Sequence, residues 1–169
     1  MEQEKVIAYT QRLQLELISY KYAQDIFNAI DETITKYMAF SPPSKLDDTK
    51  DFIRERLEKY QQWKDLQMVI IKKDTKEFLG NIGIHRIQED APELWICLKK
   101  QAWWQGYASE ALSELINRAR ENINYQYLKY LTVSENTPSI DLIEKLWWEK
   151  ISSYLEEETW YTIFIYKIT

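Results

Sequence analysis

The stretch from Ala108 to Ala119 limits the fold more than any other part of this sequence. Ala108, Ala111, Leu112, Leu115, Ile116 and Ala119 recur at helical spacing, while Ser109, Glu110, Ser113, Glu114, Asn117 and Arg118 fill the other faces. A helix with such a stripe must lay it on another layer of structure. The flanking segments supply that layer. Met68 to Ile71, Phe78 to Ile87 and Leu94 to Leu98 are short apolar runs parted by the polar breaks 73–76 and 89–92, the pattern of a three-strand antiparallel meander. Beyond the helix come a strand at Tyr127 to Val133, a short helix with Thr137 as its cap and Pro138 at its first position, and two last strands around Ser152 to Leu155 and Trp160 to Ile168.

Ahead of the meander, Arg12 to Leu17 alternate between polar and apolar, as a first strand with one buried face would. Two helices follow: Ala23, Ile26, Phe27 and Ile30 mark the first, Ile53, Leu57 and Tyr60 the second. Pro42 and Pro43 make the segment between them a loop. The order predicts an α/β fold with a mixed sheet and helices on both faces. A chain of 169 residues that is 45% apolar suits one domain over residues 1–169.

Several function classes fall away. Apolar runs are far shorter than the ~20 residues that cross a bilayer, and the first 20 residues lack a basic-then-apolar leader, so the expectation is a cytoplasmic protein with no membrane role. One cysteine, Cys97, and one histidine, His85, give neither an internal disulfide nor zinc-ligand spacing. A net charge of -5 argues against a nucleic-acid partner. It suits a cationic partner, or simply solubility.

The chemistry-bearing segment is Trp103 to Ala111, where a strand end passes through Gly106 into the helix. Free N–H groups and the dipole at a helix start favour an anion, typically phosphate, and glycine lets the backbone approach it. A structural turn would use the same glycine.

This segment resembles the acetyl-CoA pyrophosphate loop of GNAT acetyltransferases, in the form found in the ribosomal-protein N-terminal acetyltransferase (RimJ/RimL-like) branch. Thr10 to Leu15 is similar to the opening strand of that branch, Phe78 to Ile84 to its third strand, and Asn136 to Leu146 to its second CoA-side helix. Gly80, Gly83 and Gly106 all fall where the family pattern has glycine. The resemblance implies a GNAT fold with a mostly antiparallel sheet whose strands at Glu93–Leu98 and Tyr127–Val133 splay to admit the pantetheine arm. It implies acetyl-CoA as donor, held by the backbone around Cys97, Leu98 and Lys99, by Trp104, Gln105, Gly106, Tyr107, Ala108 and Ser109 around the pyrophosphate, and by Asn136. Lys99 and Lys100 would help hold the CoA phosphates. The acetyl group would pass directly to an amine, either a protein N-terminus or a small amine such as a polyamine or antibiotic. Glu93 is the candidate base, or a solvated strand-end carboxylate; Ser139 is the candidate acid, or a residue serving only its own helix turn.

Four positions depart from the family pattern. Ile143 replaces a common tyrosine acid, Trp95 stands for a glycine, and Trp147-Trp148 for Gly-Phe. Bulk near the cleft means either a reshaped acceptor pocket or a catalytically silent module that retains CoA or a protein partner; a binder of some other phosphate ligand is a third reading. His85 could serve as a base in the acceptor pocket or be an ordinary strand histidine, and Cys97 reads as a small hydrophobe. The family tendency and the aromatic content suggest a homodimer.

Overall fold

The computed structural model describes residues 5–146 and 148–168. Eight strands form one sheet. β1 (Val6–Tyr9) precedes β2 (Leu13–Leu17); β3 (Leu66–Lys72), β4 (Phe78–His85) and β5 (Glu93–Leu98) are the meander; β6 (Leu128–Val133), β7 (Glu149–Leu155) and β8 (Thr162–Ile168) complete it. The order across the sheet is β1-β2-β3-β4-β5-β6-β8-β7. Every neighbouring pair is antiparallel except β5 and β6.

The helices α1 (Ala23–Ala29), α2 (Glu32–Thr35), α3 (Leu46–Gln61), α4 (Tyr107–Asn122) and α5 (Thr137–Lys145) connect the strands. On one face Ile26 of α1 and Ile53 of α3 pack with Val69 and Ile71. On the other, Leu112, Leu115 and Ile116 of α4 pack with Met68, Ile70, Ile82 and Ile84. Covered on both faces, β3 reads as a continuous apolar run instead of alternating.

Three expectations change. β1 lies ahead of the strand expected to be first, and pairs with it. β2 buries both faces, because Gln14 and Glu16 are only 6% and 3% exposed. Gln14 Nε2 donates to Glu16 Oε1 and the Tyr22 hydroxyl to Glu16 Oε2, each at 2.6 Å, so the polar face is satisfied without water. The four-residue α2, capped by Asp31 accepting from the Ile34 N–H, was not legible either.

Two features of β5 prepare the site. A Cβ at Gly80 would lie 2.2 Å from the Cys97 carbonyl oxygen and 2.8 Å from Leu98 Cα, so β4 and β5 approach as only glycine permits. On its other side β5 pairs with β6 only at Glu93↔Lys129 and Leu94↔Tyr130. From Trp95 onward the two strands part, while β6 stays paired with β8 as far as Val133.

Candidate active site

Strand parity decides which backbone groups face the gap. The Lys99 N–H donates to the Leu79 carbonyl, and the β4–β5 register runs without a shift, so Gly80 and Leu98 are a non-hydrogen-bonded pair. Alternation then turns the backbone of Leu94, Ile96 and Leu98 toward β6 and that of Trp95 and Cys97 toward β4. The ladder to β6 includes Leu94 but neither Ile96 nor Leu98. The Leu98 carbonyl accepts from the Trp103 indole at 2.9 Å. The N–H and C=O of Ile96 and the N–H of Leu98 therefore face the gap without a strand partner. Of residues 97–99, Leu98 alone turns its N–H to the gap, and Ile96 joins it. Lys99 is committed elsewhere: its carbonyl accepts from the Ala102 N–H, and its Nζ lies 2.7 Å from Glu77 Oε1. Burial first, with the charge of Asp31, pushes the Cys97 thiol up to about 12, so it is an inert hydrophobe at neutral pH.

Past β5 the chain makes a short 3-10 turn, Lys100–Ala102, and reaches α4. Gly106, at φ 78°, is the N-cap of α4 and offers no side chain to its first turn. The N–H groups of Tyr107, Ala108 and Ser109 therefore have no cap, and the positive end of the helix dipole adds to their pull on an anion. A Cβ at Gly106 would meet only Arg12 Nη2, at 3.3 Å. Trp104 is left-handed too, at φ 62°, and 77% exposed. Gln105 Nε2 donates to the Gln101 carbonyl at 2.8 Å.

Arg12 braces this loop, a role its place in an alternating strand does not reveal. Its Nη1 donates to the Gln105 carbonyl at 2.9 Å, and its guanidinium lies 4.5 Å from the centre of the Tyr107 ring. It thus grips both neighbours of Gly106. Glu110 holds Arg12 in turn, with Oε1 accepting from the Arg12 N–H and Oε2 from Arg12 Nε, both at 2.7 Å, and Thr10 Oγ1 also donating to Oε1. Burial would raise the Glu110 pKa, but the hydrogen bonds from Thr10 and Arg12, with the Arg12 charge, outweigh it and leave it lowered.

The two proton-transfer candidates lie on opposite faces of the sheet. Glu93 and Leu94 are adjacent in β5 and pair with Lys129 and Tyr130 respectively, so Glu93 faces the α1–α3 side and Tyr130 the α5 side. Glu93 Oε2 is half-buried, 3.7 Å from Arg86 Nη1. Ser139 Oγ lies 3.1 Å from the Tyr130 hydroxyl, a buried group whose pKa burial raises and the Ser139 hydrogen bond partly lowers. Tyr130 packs edge-on to Trp148 at 5.8 Å. Asn136, not the expected Thr137, caps α5, its side-chain oxygen accepting from the Ser139 N–H, so Thr137 is the first helical residue. Ile143 is fully buried in the core. Trp147 lies outside the described residues.

A cavity of about 370 Å³ opens between α1, α3 and the sheet. Its apolar wall is Ile26, Ile30, Phe40, Phe52 and Trp95, so the tryptophan that stands for a glycine shapes this space. His85 lines it too, stacked on Trp95 with ring centres 6.4 Å apart, and its Nε2 lies 3.1 Å from Gln67 Oε1. Gln67 Nε2 donates to the Ile82 carbonyl, which leaves Oε1 to accept from His85 Nε2–H. Burial lowers the His85 pKa to about 4, against the pull of Asp65 and with help from Arg56, Lys59 and Arg86, so the ring is neutral at pH 7. Glu93 and Ser139 are not among the residues that line this cavity. A second depression, bounded by residues 114–121, is built from α4 alone.

The comparisons agree on the family. The acetyltransferase (GNAT) domain matches residues 12–146. The N-acetyltransferase p20 of Bacillus licheniformis, itself uncharacterized, is 29% identical over 145 residues, covering 84% of this chain and 82% of that protein. Among solved structures, the ribosomal L7/L12 alpha-N-protein acetyltransferase RimL with Coenzyme A superposes with a TM-score of 0.85 at 12% identity over 97% of each chain. The spermidine N-acetyltransferase of Vibrio cholerae with CoA and spermine does so with a TM-score of 0.81 at 14% identity over 93% of this chain and 95% of that one. Identities this low speak for the fold, and the family match supplies the rest: this chain belongs to the GNAT acetyltransferase domain family.

Proposed function

We propose that residues 1–169 act as a single acetyl-CoA-dependent N-acetyltransferase domain. The observation that carries this reading is the parting of β5 from β6 after Leu94, in a chain whose α4 begins with an uncapped turn at Gly106. The residues fit the donor: Ile96 and Leu98 offer unpaired backbone groups to an extended amide-bearing arm, and the open face of Gly106 leaves room for a pyrophosphate on the N–H groups of 107–109. Bound there, acetyl-CoA would supply an acetyl thioester.

Trp104 and Gln105 close the loop from outside, and Arg12 keeps it in shape. Asn136, its side-chain oxygen engaged by the cap, turns its amide N–H₂ to the arm. Cys97 and Lys99 contribute wall rather than backbone contacts. Glu93 takes the proton that the acceptor ammonium must lose, directly or through water, and Ser139 Oγ gives a proton to the departing sulfur, with the Tyr130 hydroxyl behind it. Placement of these groups on opposite faces of the sheet separates proton removal from proton delivery. Ile96 N–H is the backbone donor for the carbonyl oxygen as charge builds on it.

The acceptor is an amine. RimL acts on a protein N-terminus and the Vibrio enzyme on spermidine. No nucleic-acid partner, supported by the charge of -5, and cytoplasmic residence complete the reading. No helix among the described residues is long and apolar enough to cross a membrane. A homodimer is supported by the exposed outer strand β7, which carries Ile151, Tyr154 and Leu155.

Thermal unfolding with acetyl-CoA, beside ATP as a control, tests the proposal. Ligand at about 100 times Kd adds ~2.7 kcal/mol, worth roughly 2–4 °C per kcal/mol in a chain of this size. Gly106→Val should abolish the shift. An equal response to ATP, or none to acetyl-CoA, would refute the donor.

A further inference from the structure

Five buried side-chain polar atoms among the described residues have no hydrogen-bond partner: Thr49 Oγ1, Arg56 Nε, Asn81 Oδ1, Thr132 Oγ1 and Trp148 Nε1. Three of them, on Thr49, Arg56 and Asn81, belong to residues lining the cavity between α1, α3 and the sheet. Thr49 and Asn81 are each 2% exposed. Buried polar groups in native proteins are nearly always paired, so three orphans around one cavity mark a place where a ligand completes the bonding.

The orphans fall into two chemical sets. Thr49 and Arg56 stand on α3 with Phe52 between them, at i, i+3 and i+7, and so share the helix face toward the cavity. An Arg Nε–H and a threonine hydroxyl can both donate. Asn81 stands on β4, paired with Cys97, and its Oδ1 can only accept. Trp95, two residues before Cys97, lines the cavity and is also the first residue of β5 beyond the β6 ladder. The accepting end is therefore the end next to the gap.

Charge narrows the class of ligand. Among the described residues Asp48 is the one carboxylate lining the cavity, and its Oδ2 accepts from the Ser44 N–H, the Ser44 hydroxyl and the Lys45 N–H. Arg56 brings positive charge, compensated by Asp65 at 3.1 Å. Asp48 keeps its charge, but with Oδ2 engaged at the start of α3 it holds a polyamine's second ammonium less well than an unengaged carboxylate would.

We infer that the acceptor is a compact monoamine with an apolar body and an oxygen acceptor. Its amine N–H bonds Asn81 Oδ1, its body lies among Phe40, Phe52 and Trp95, and its oxygen takes hydrogen bonds from Arg56 Nε and Thr49 Oγ1. A volume of about 370 Å³ suits such a molecule. An apolar amino-acid amide and the first residue of a peptide share this chemistry. The inference rests on the acetyl-transfer reading.

The test is thiol release at saturating acetyl-CoA with phenylalaninamide, a phenylalanine-led tripeptide and spermidine as acceptors. The expected result is kcat/KM at least about 100-fold higher for one or both phenylalanine compounds than for spermidine. The tripeptide arm tells a free small molecule from a peptide end. Asn81→Leu and the near-isosteric Thr49→Val should each raise KM for the better acceptor about 10-fold while leaving the acetyl-CoA thermal shift unchanged. Spermidine matching or exceeding the phenylalanine compounds, or both variants leaving KM unaltered, would overturn the inference while the donor reading stands. Absence of an acetyl-CoA shift in the unaltered protein would remove both.

Discussion

Glu110→Ala tests whether the Gly106 loop is held from outside. Glu110 accepts three hydrogen bonds, two from Arg12 and one from Thr10, at a carboxylate whose side chain is 17% exposed. Arg12 is 42% exposed, so solvent screens part of the ion pair. A buried charge-assisted bond contributes about 1.5–3 kcal/mol and an exposed pair less than about 1, which places the Arg12–Glu110 coupling at about 1–2 kcal/mol. A double-mutant cycle with Arg12→Ala, read by urea unfolding, should return that coupling. Each single variant should lower Tm by roughly 2–8 °C. Without the brace, residues 105–107 must be ordered when the donor binds, and an ordering cost of about 1–2 kcal/mol weakens Kd for acetyl-CoA by about 5–30-fold. Calorimetric titration of the three variants reads that change. A coupling below about 0.3 kcal/mol with unaltered Kd would refute the bracing role.

Three other perturbations have defined outcomes. The His85 pKa falls from 6.5 unfolded to about 4 folded, so the unfolded chain binds more protons between those values; stability is complete above pH 6.5 and declines by about 3 kcal/mol as pH falls toward 4. Urea midpoints at pH 7.5 and 4.5 should show this component in the parent and lose it in His85→Gln; an identical pH dependence in both would disprove it. Gly80→Ala should cost about 3 kcal/mol or more, since its Cβ strikes β5 backbone, whereas Gly106→Ala should cost only about 1, since its Cβ meets only the movable end of Arg12, at 3.3 Å, and adds the strain of a left-handed φ; equal Tm losses would contradict this. Ser139→Ala should lower kcat about 100-fold with little change in KM for acetyl-CoA, and Tyr130→Phe should fall between it and the parent; unaltered kcat in both would take that hydroxyl pair out of proton delivery.

How far each feature could be read in the sequence follows from its physical range. The α4 stripe is local and periodic, so it survives as pattern, and the meander survives because polar breaks bound each run. β1 does not: it has four residues and its register shifts between Val6 and Ala8, so no alternation develops. Burial of Gln14 and Glu16 depends on Tyr22 folding back over them, which polarity alone reads the wrong way. In the site, Gly106 announces itself by position, but the Arg12 contact with Glu110 spans 98 residues. Ile96 was missed because strand parity, fixed by the Lys99–Leu79 bond, decides which side of β5 meets the gap. Trp95 stood out as a departure from the family, yet its part in a cavity required α3 to be in place.

The early end of the β5–β6 ladder divides the sheet into two plates, β1 to β5 and β6 with β8 and β7, that share only two residue pairs along their common seam. Amides of Ile96 and Leu98 sit at the middle of an eight-stranded sheet and yet should exchange with solvent like those of an outer strand. In the proposed site a bound donor would close the seam as a ninth strand does, so protection of those two amides, far from either edge, would be the local gauge of an occupied site.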